Sequence, residues 1–325
     1  MSLTAGTVPG QLFSRTDVNE RFGLGTADAL WDWVKAGATS PVTGRARPLP
    51  TGPAVVYRGQ ARTSYGLTSS LYRLCREARP NGVSERTIAG VEAQLINDMR
   101  AEGIGRRMSD GQLLSVLQHH GVPTRLLDFS RTPLEALYFA VENHDTIDGR
   151  LFIVHAHGHV NSMTVDLGFA ADGSRALPWE NLARGDEYAS SAWTQTVALV
   201  DPNDLDPRMV AQAGVFLVGG LNRRYGGRDM FAGESGRAPT SRVPSELYAD
   251  VTTLGINFLT RAGTQNLCWP ATGWTVRVRA EWKPRLRELL NAEDDSIRRD
   301  TMYPPLDEVW RLANYAVVAR LGRGD

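Results

Sequence analysis

Residues 109–143 read SDGQLLSVLQHHGVPTRLLDFSRTPLEALYFAVEN, and the fold turns on this stretch. It spells helix, tight stop, strand, tight start, helix. Ser109 followed three positions later by Gln112 is the pattern of a capping box, in which each side chain satisfies the other's orphan backbone N–H. Leu113, Leu114, Val116 and Leu117 carry the helix that follows. It stops at His120-Gly121, where glycine takes the left-handed cap conformation and Pro123 bars continuation. Residues 124–129 are short and apolar-rich, as in a strand. Thr132-Pro133-Leu134-Glu135 starts a second helix, with Thr132 as cap, proline at the first helical position and Glu135 closing the box. Leu134, Leu137, Tyr138 and Val141 share one face of it, and Ala136, Phe139 and Ala140 the other. A helix that apolar all round is expected to be buried.

The polar residues at the two turns run against this pattern. Gln118, His119, His120, Thr124, Arg125, Asp128 and Ser130 crowd into a unit that should be buried. An unpaired buried Arg or Asp costs several kcal/mol. Either they pair with one another, Arg125 with Asp128, or they line a cleft.

Upstream, residues 54–60 (AVVYRGQ) alternate as a strand. Ala54, Val56, Arg58 and Gln60 lie on one face, and Val55, Tyr57 and Gly59 on the other. Arg58 therefore points the same way as Val56, and either leaves the sheet edge or enters a pocket. Gly59 beside it lets another backbone or a ligand come close. Residues 84–102 form a long helix with Ile88, Val91, Leu95 and Met99 at helical spacing. Residues 1–50 read as an appendage: a short helix at 27–35 with Leu30, Trp31 and Val34 on one face, by which it could pack on the main domain, then a Pro/Gly-rich linker.

Downstream, residues 149–157 (GRLFIVHAH) are a strand. His155, His157 and His159 alternate onto one face beyond it, the placement a metal site would need. No other Cys or His cluster joins them, so solvent-facing or internally satisfied histidines are expected and no metal is assigned. Gln212 and Gly214 share a face ahead of the apolar run Val215–Val218. Residues 219–242 then turn Gly- and Arg-rich, with Arg223, Arg224, Arg228, Arg237 and Arg242. They read as either a surface insertion or a substrate-gripping loop. Residues 274–280 alternate as a strand, and 304–321 carry the stripe of a closing helix.

Composition bounds the class. The chain has 325 residues, 42% hydrophobic and 22% charged, with formal net charge zero. These values suit a soluble globular chain and give no global basic field that would demand nucleic acid. No apolar run reaches the ~18 residues of a membrane span. The N-terminus lacks the basic and apolar parts of a signal peptide, and the two cysteines, Cys75 and Cys268, lie far apart. A cytoplasmic protein with free thiols is expected. The basic residues are 34 Arg and two Lys. Either a GC-rich genome or bidentate phosphate binding produces such a bias.

Several blocks resemble the FRG domain, a family named for a Phe-Arg-Gly tripeptide that here is Tyr57-Arg58-Gly59. The resemblance continues through Gln60, Ser70-Leu71, Arg73, the run Gln118-His119-His120-Gly121-Val122-Pro123-Thr124-Arg125-Leu126-Leu127-Asp128, and Ala136-Leu137-Tyr138-Phe139-Ala140. Ala211–Phe216 and Met302-Tyr303-Pro304 resemble its later blocks. On this basis residues 51–321 form one main domain after the 1–50 appendage, with an insertion at about 220–270.

A weaker similarity is to arginine-type ADP-ribosyltransferases. These have a strand ending Arg-Gly, a strand ending in Ser, and a helix with an Ala-x-x-Phe pattern. Tyr57-Arg58-Gly59, Phe129-Ser130 and Ala136–Phe139 look like these three. The resemblance implies an α+β fold with a split mixed β-sheet flanked by helices and NAD held in the split. Arg58 would bind the diphosphate or adjacent ribose, and Ser130 the nicotinamide-side ribose. Gly59, Gln60, His119, His120, Thr124 and Arg125 would complete the NAD contacts, and Asp128 would stabilise positive charge developing on the sugar. The family's later-strand Glu is missing. Gln212-Ala213-Gly214 stands there, and Gln212 can bond a hydroxyl but cannot act as a base. The expected activity is transfer of ADP-ribose from NAD to a nucleic-acid base or protein side chain, with DNA or RNA gripped by residues 220–244. The alternative is a non-catalytic nucleotide- or nucleic-acid-binding module of a phage or anti-phage system.

Overall fold

The computed structural model describes residues 8–40, 48–80, 82–157, 162–169, 173–177, 179, 193, 196–201, 212–221, 231–232, 248–259, 269–293, 297 and 302. The closing helix expected at 304–321, His159 and nearly all of the 220–244 loop lie outside them.

The chain is α+β, built on one mixed sheet. Its strands are β1 (Val55–Gln60), β2 (Leu127–Ser130), β3 (Gly149–Ala156), β4 (Ser162–Asp166), β5 (Val197–Asp201), β6 (Gly214–Gly219), β7 (Phe231–Ala232), β8 (Ile256–Leu259) and β9 (Ala271–Val278), in the order β4-β5-β6-β2-β1-β3-β9-β8-β7. β4 and β5, β7 and β8, and β8 and β9 run parallel; the other neighbours run antiparallel. The helices are α1 (Val8–Phe13), α2 (Asn19–Phe22), α3 (Ala27–Lys35), α4 (Ser70–Ala78), α5 (Glu85–Ala101), α6 (Asp110–His119), α7 (Pro133–Val141), α8 (Tyr248–Val251) and α9 (Lys283–Glu293).

The sheet is nearly parted at its middle. β1 pairs with β3 along its whole length, from Val55–His155 to Gln60–Arg150. On its other side it meets β2 at a single pair, Tyr57 with Ser130. Beyond that pair the two strands diverge, and only the one register point joins the halves of the sheet.

Both faces are covered. Val55, Tyr57, Leu151, Ile153, Trp274 and Val276 pack beneath α3, α7 and α9. Val56, Phe129, Phe152 and Val154 pack on the opposite face around Phe13. The alternation read for β1 is therefore observed, and β3, buried on both faces, carries the apolar run Leu151–Val154. A third cluster joins α6 to β5 and β6 through Leu113, Leu114, Leu117, Val200, Phe216 and Val218.

Two expectations are corrected. The N-terminal stretch docks through Leu30, Trp31 and Val34 as read, but it is part of the core and not an appendage to it. Phe13 is fully buried with its ring 5.0 Å from Phe152 and 4.9 Å from Phe258. Asp17 bridges to Thr275 on β9, and α3 buries Leu30, Trp31, Trp33 and Val34. Within 220–270, residues 248–259 are part of the folded body: β8 pairs with β9, and Asp250 of α8 accepts hydrogen bonds from Tyr72 and Arg76 of α4. Finally, α5 buries Glu85, Ile88, Glu92 and Ile96, whereas Val91 is exposed. Its inward stripe is rotated and carries two carboxylates.

The two helix starts read from sequence differ in the same way. Ser109 and Gln112 form the full reciprocal capping box. Thr132 has the extended backbone of a cap, but its side chain makes no cap hydrogen bond. Gly121 ends α6 at φ +78°, as the left-handed stop requires.

Candidate functional site

Where β1 and β2 diverge, a cavity of about 730 Å³ opens. That is within the range of small-molecule sites. Arg58, Gly59 and Gln60 line one wall, from the free edge of β1, and Asp128, Phe129 and Ser130 face them from β2. Gln118 and His119 enter from the end of α6, Arg73 from α4, Phe139, Glu142, Asn143 and His144 from the end of α7, and Gln212 from the turn before β6.

Arg58 spans the opening. Its Nη1 donates to the Asp128 carbonyl oxygen and stands 3.7 Å from the Asp128 carboxylate. Burial lowers its pKa from the usual guanidinium value, Asp128 opposes that shift, and the nearby positive charge of Arg73 reinforces it. Arg58 Nε and Gln60 Oε1 are buried without a hydrogen-bond partner among the described residues. A buried donor and acceptor left open beside a cavity are the groups a polar ligand would satisfy.

The long signature run divides between wall and support. Gln118 Nε2 donates to Asp128 Oδ2 at 2.9 Å, and Thr124 Oγ1 donates to Gln118 Oε1 at 2.7 Å while accepting from Leu126 N at 3.1 Å. Thr124 is fully buried, and Ser70 on α4 bonds its backbone N–H and carbonyl. Thr124 thus fixes the turn that aims Gln118 and Asp128, and does not reach the cavity.

Arg125 points the other way. It is 4% exposed, with Nη1 2.7 Å from Glu85 and Nε 2.9 Å from Glu92. Trp193 and Trp179 donate to the same two carboxylates, and the Arg125 guanidinium lies 5.7 Å from the Trp193 ring. The two carboxylates hold its pKa above the usual value against the opposing effect of burial. Neither sequence alternative for Arg125 and Asp128 holds as a pair: each has a different partner. As an NAD contact Arg125 is corrected, since its charge is consumed by α5. His120 is exposed at the cap of α6 and does not line the cavity.

Gly59 has a decisive neighbour. A Cβ there would stand 1.8 Å from the Ala136 carbonyl oxygen and 2.7 Å from Ala140 N. At Gly149 it would stand 2.4 Å from the Ala140 carbonyl oxygen. α7 lies directly on β1 and β3 through its two alanines, so of the two visitors read for Gly59 the first is a backbone. Gln212 Nε2 donates to the Met302 carbonyl at 2.8 Å, which ties the later chain to the cavity edge. The next residue, Ala213, holds φ +44°, an uncommon conformation for a residue with a side chain.

His157 is satisfied internally, with Nδ1 3.0 Å from the Trp269 carbonyl and Nε2 2.7 Å from Thr272 Oγ1. Burial, with His157 adding to it, lowers the His155 pKa. Among the described residues no group of three His, Cys, Asp or Glu side chains is arranged to hold a metal. No helix among them is long and apolar enough to cross a membrane.

Residues 53–149 match the family model of the FRG domain. Over this stretch, less than a third of its length, the chain is similar to the FRG domain. No curated protein and no solved structure matches it. The FRG segment runs from just before β1 to the first residue of β3, and every lining residue named above except Gln212 lies within it. Within this segment Arg73 follows the Ser70-Leu71 pair on α4, and Gln118 is one of the polar residues crowded at the end of α6. Tyr65, Glu142, Asn143 and His144 of the same segment gave no local signal, because they reach the cavity from loops.

Proposed function

We propose that the FRG cavity binds NAD and that the protein transfers its ADP-ribose to a macromolecular acceptor. The observation that carries this reading is the parting of the sheet after one residue pair, with Arg58 half-buried in the gap and its buried Nε without a partner among the described residues. A dinucleotide offers a diphosphate, and guanidinium is the side chain best suited to grip one bidentately. Arg73 adds a second positive charge to the same cavity. The split sheet, the Arg58 strand and the Ser130 strand agree with the resemblance to arginine-type ADP-ribosyltransferases.

In the proposed reaction the bond between the ribose anomeric carbon and the nicotinamide nitrogen breaks, and nicotinamide leaves with the electron pair. Asp128, held by Gln118 and Arg58, supplies a fixed negative charge near the positive charge that develops on the sugar. Ser130 and the Gln212 side-chain oxygen, both at the cavity, would bond ribose hydroxyls. The acceptor's proton goes to a base, which Gln212 cannot be; Asp128 and Glu142 are the lining carboxylates, and His119 is a lining imidazole. The acceptor is a nucleic-acid base, brought by the Arg-rich 220–244 stretch, or a protein side chain.

A second reading keeps the nucleotide and drops the chemistry. It is favoured by one observation: Gln212 stands where a Glu is expected, and its amide is engaged by Met302. Incubation with NAD, alone and with DNA, RNA or cell protein, separates the two. Release of free nicotinamide that disappears in Arg58→Ala supports the transferase. Saturable NAD binding without release supports the binding module, and absence of both removes both.

A further inference from the structure

The cavity has a rim that the proposed reaction does not use. Residues 62–65 make a turn in which Tyr65 N donates to the Arg62 carbonyl at 3.4 Å. The turn is anchored: Thr63 N bonds the Asp148 carbonyl at 2.8 Å, and Arg150 Nη1 bonds the Thr63 carbonyl at 2.9 Å. On this rigid base the Tyr65 ring lines the cavity while staying 47% exposed. An aromatic ring displayed at a cavity, rather than folded into a core, is a stacking surface.

His144 faces the same space from the end of α7. Its backbone holds φ +60°, and its carbonyl accepts from Lys283 Nζ at 3.0 Å. Lys283 is fully buried and also bonds the carbonyls of Ala61 and Asn143, two further lining residues, at 2.8 Å each. Strained backbone of this kind persists where its surroundings over-determine it, and it clusters at binding sites. The imidazole is fixed as well. Arg62 Nη2 lies 3.2 Å from His144 Nδ1. Guanidinium can only donate, so Nδ1 is the acceptor and the proton sits on Nε2. The Arg62 guanidinium also lies 6.0 Å from the Tyr65 ring, so one side chain braces both.

We propose that Tyr65 and His144 form a subsite for a flat heteroaromatic ring, the base end of a nucleotide. The ring stacks on Tyr65 and accepts a hydrogen bond from His144 Nε2–H. This rests on the reading that the cavity takes a nucleotide, with the diphosphate at Arg58 and Arg73, but not on any turnover.

The test is calorimetric titration of the full chain with three probes: NAD, AMP and inorganic pyrophosphate. Tyr65→Ala is expected to weaken NAD and AMP by between about 5-fold and 150-fold, the range for removing one base–aromatic stack. Pyrophosphate, which has no base, keeps its affinity in that variant and loses it in Arg58→Ala. Tyr65→Phe retains the stack and restores NAD and AMP binding. His144→Asn, which tolerates the left-handed backbone, lowers affinity for NAD and AMP but not for pyrophosphate. The proposal is overturned if Tyr65→Ala leaves NAD and AMP unchanged, if it weakens all three probes equally, or if the unaltered protein binds none of them. Binding with these variant effects but without nicotinamide release keeps the subsite and removes only the transferase.

Discussion

Gly59→Ala tests whether the family glycine serves the fold or the ligand. The added Cβ would meet the Ala136 carbonyl oxygen at 1.8 Å, Ala140 N at 2.7 Å and the Ala136 carbonyl carbon at 2.9 Å, all backbone atoms. Side-chain rotation cannot relieve this, so α7 must lift from β1 by roughly an ångström. Ala136, Leu137, Ala140 and Val141 would lift with it, and each is fully buried. Overpacking costs about 1–3 kcal/mol and sometimes more. Opposed by a helix backbone, this substitution belongs at about 3 kcal/mol or above. At the roughly 2–4 °C per kcal/mol seen for domains of 150–250 residues, the melting temperature should fall by at least about 6 °C. Scanning calorimetry of the purified variant reads this directly. A melting temperature within about 1 °C of the unaltered protein, with ligand binding lost, would refute the packing argument and return Gly59 to the ligand.

Four further outcomes follow from the buried polar groups and caps. Arg125→Met should cost about 3–5 kcal/mol by denaturant unfolding, since it strands Glu85 and Glu92. Burial raises the Glu92 pKa despite Arg125, so the folded state holds this proton more tightly than the unfolded one. Stability should then fall as pH rises from the unfolded value of about 4.3 through the raised folded value, and Glu92→Gln should flatten that fall. Burial lowers the Lys283 pKa to about 8. Between there and the unfolded value of about 10.4 the unfolded chain binds more protons, so stability should rise with pH by about 1–3 kcal/mol, and in Lys283→Met this rise should vanish. Ser109→Ala should cost about 1 kcal/mol and Thr132→Ala less than about 0.5 kcal/mol in chemical denaturation, because only the first closes a box.

Local chemistry was legible where it is self-contained. The Ser109–Gln112 box, the Gly121 stop and the two faces of β1 need only near neighbours in sequence, and Arg58 follows from them by alternation. The opening where β1 leaves β2 depends on pairing between residues 57 and 130, which no local pattern encodes. Arg125 was misassigned because its partners lie 40 and 33 residues upstream. Glu85 and Glu92 sit on a helix whose apolar positions suggested a different inward face. Phe13 was missed because α1 is too short to show a period. His144 was missed because what marks it is a backbone angle and a lysine far along the chain.

The central claim is that the gap between β1 and β2 is a nucleotide site gripped by Arg58. A crystal structure of the protein with NAD tests it most directly. The account predicts diphosphate oxygens within hydrogen-bond distance of the Arg58 guanidinium, between Gln60 and Ser130. A bound NAD elsewhere on the surface, or an empty gap at saturating NAD, would contradict it.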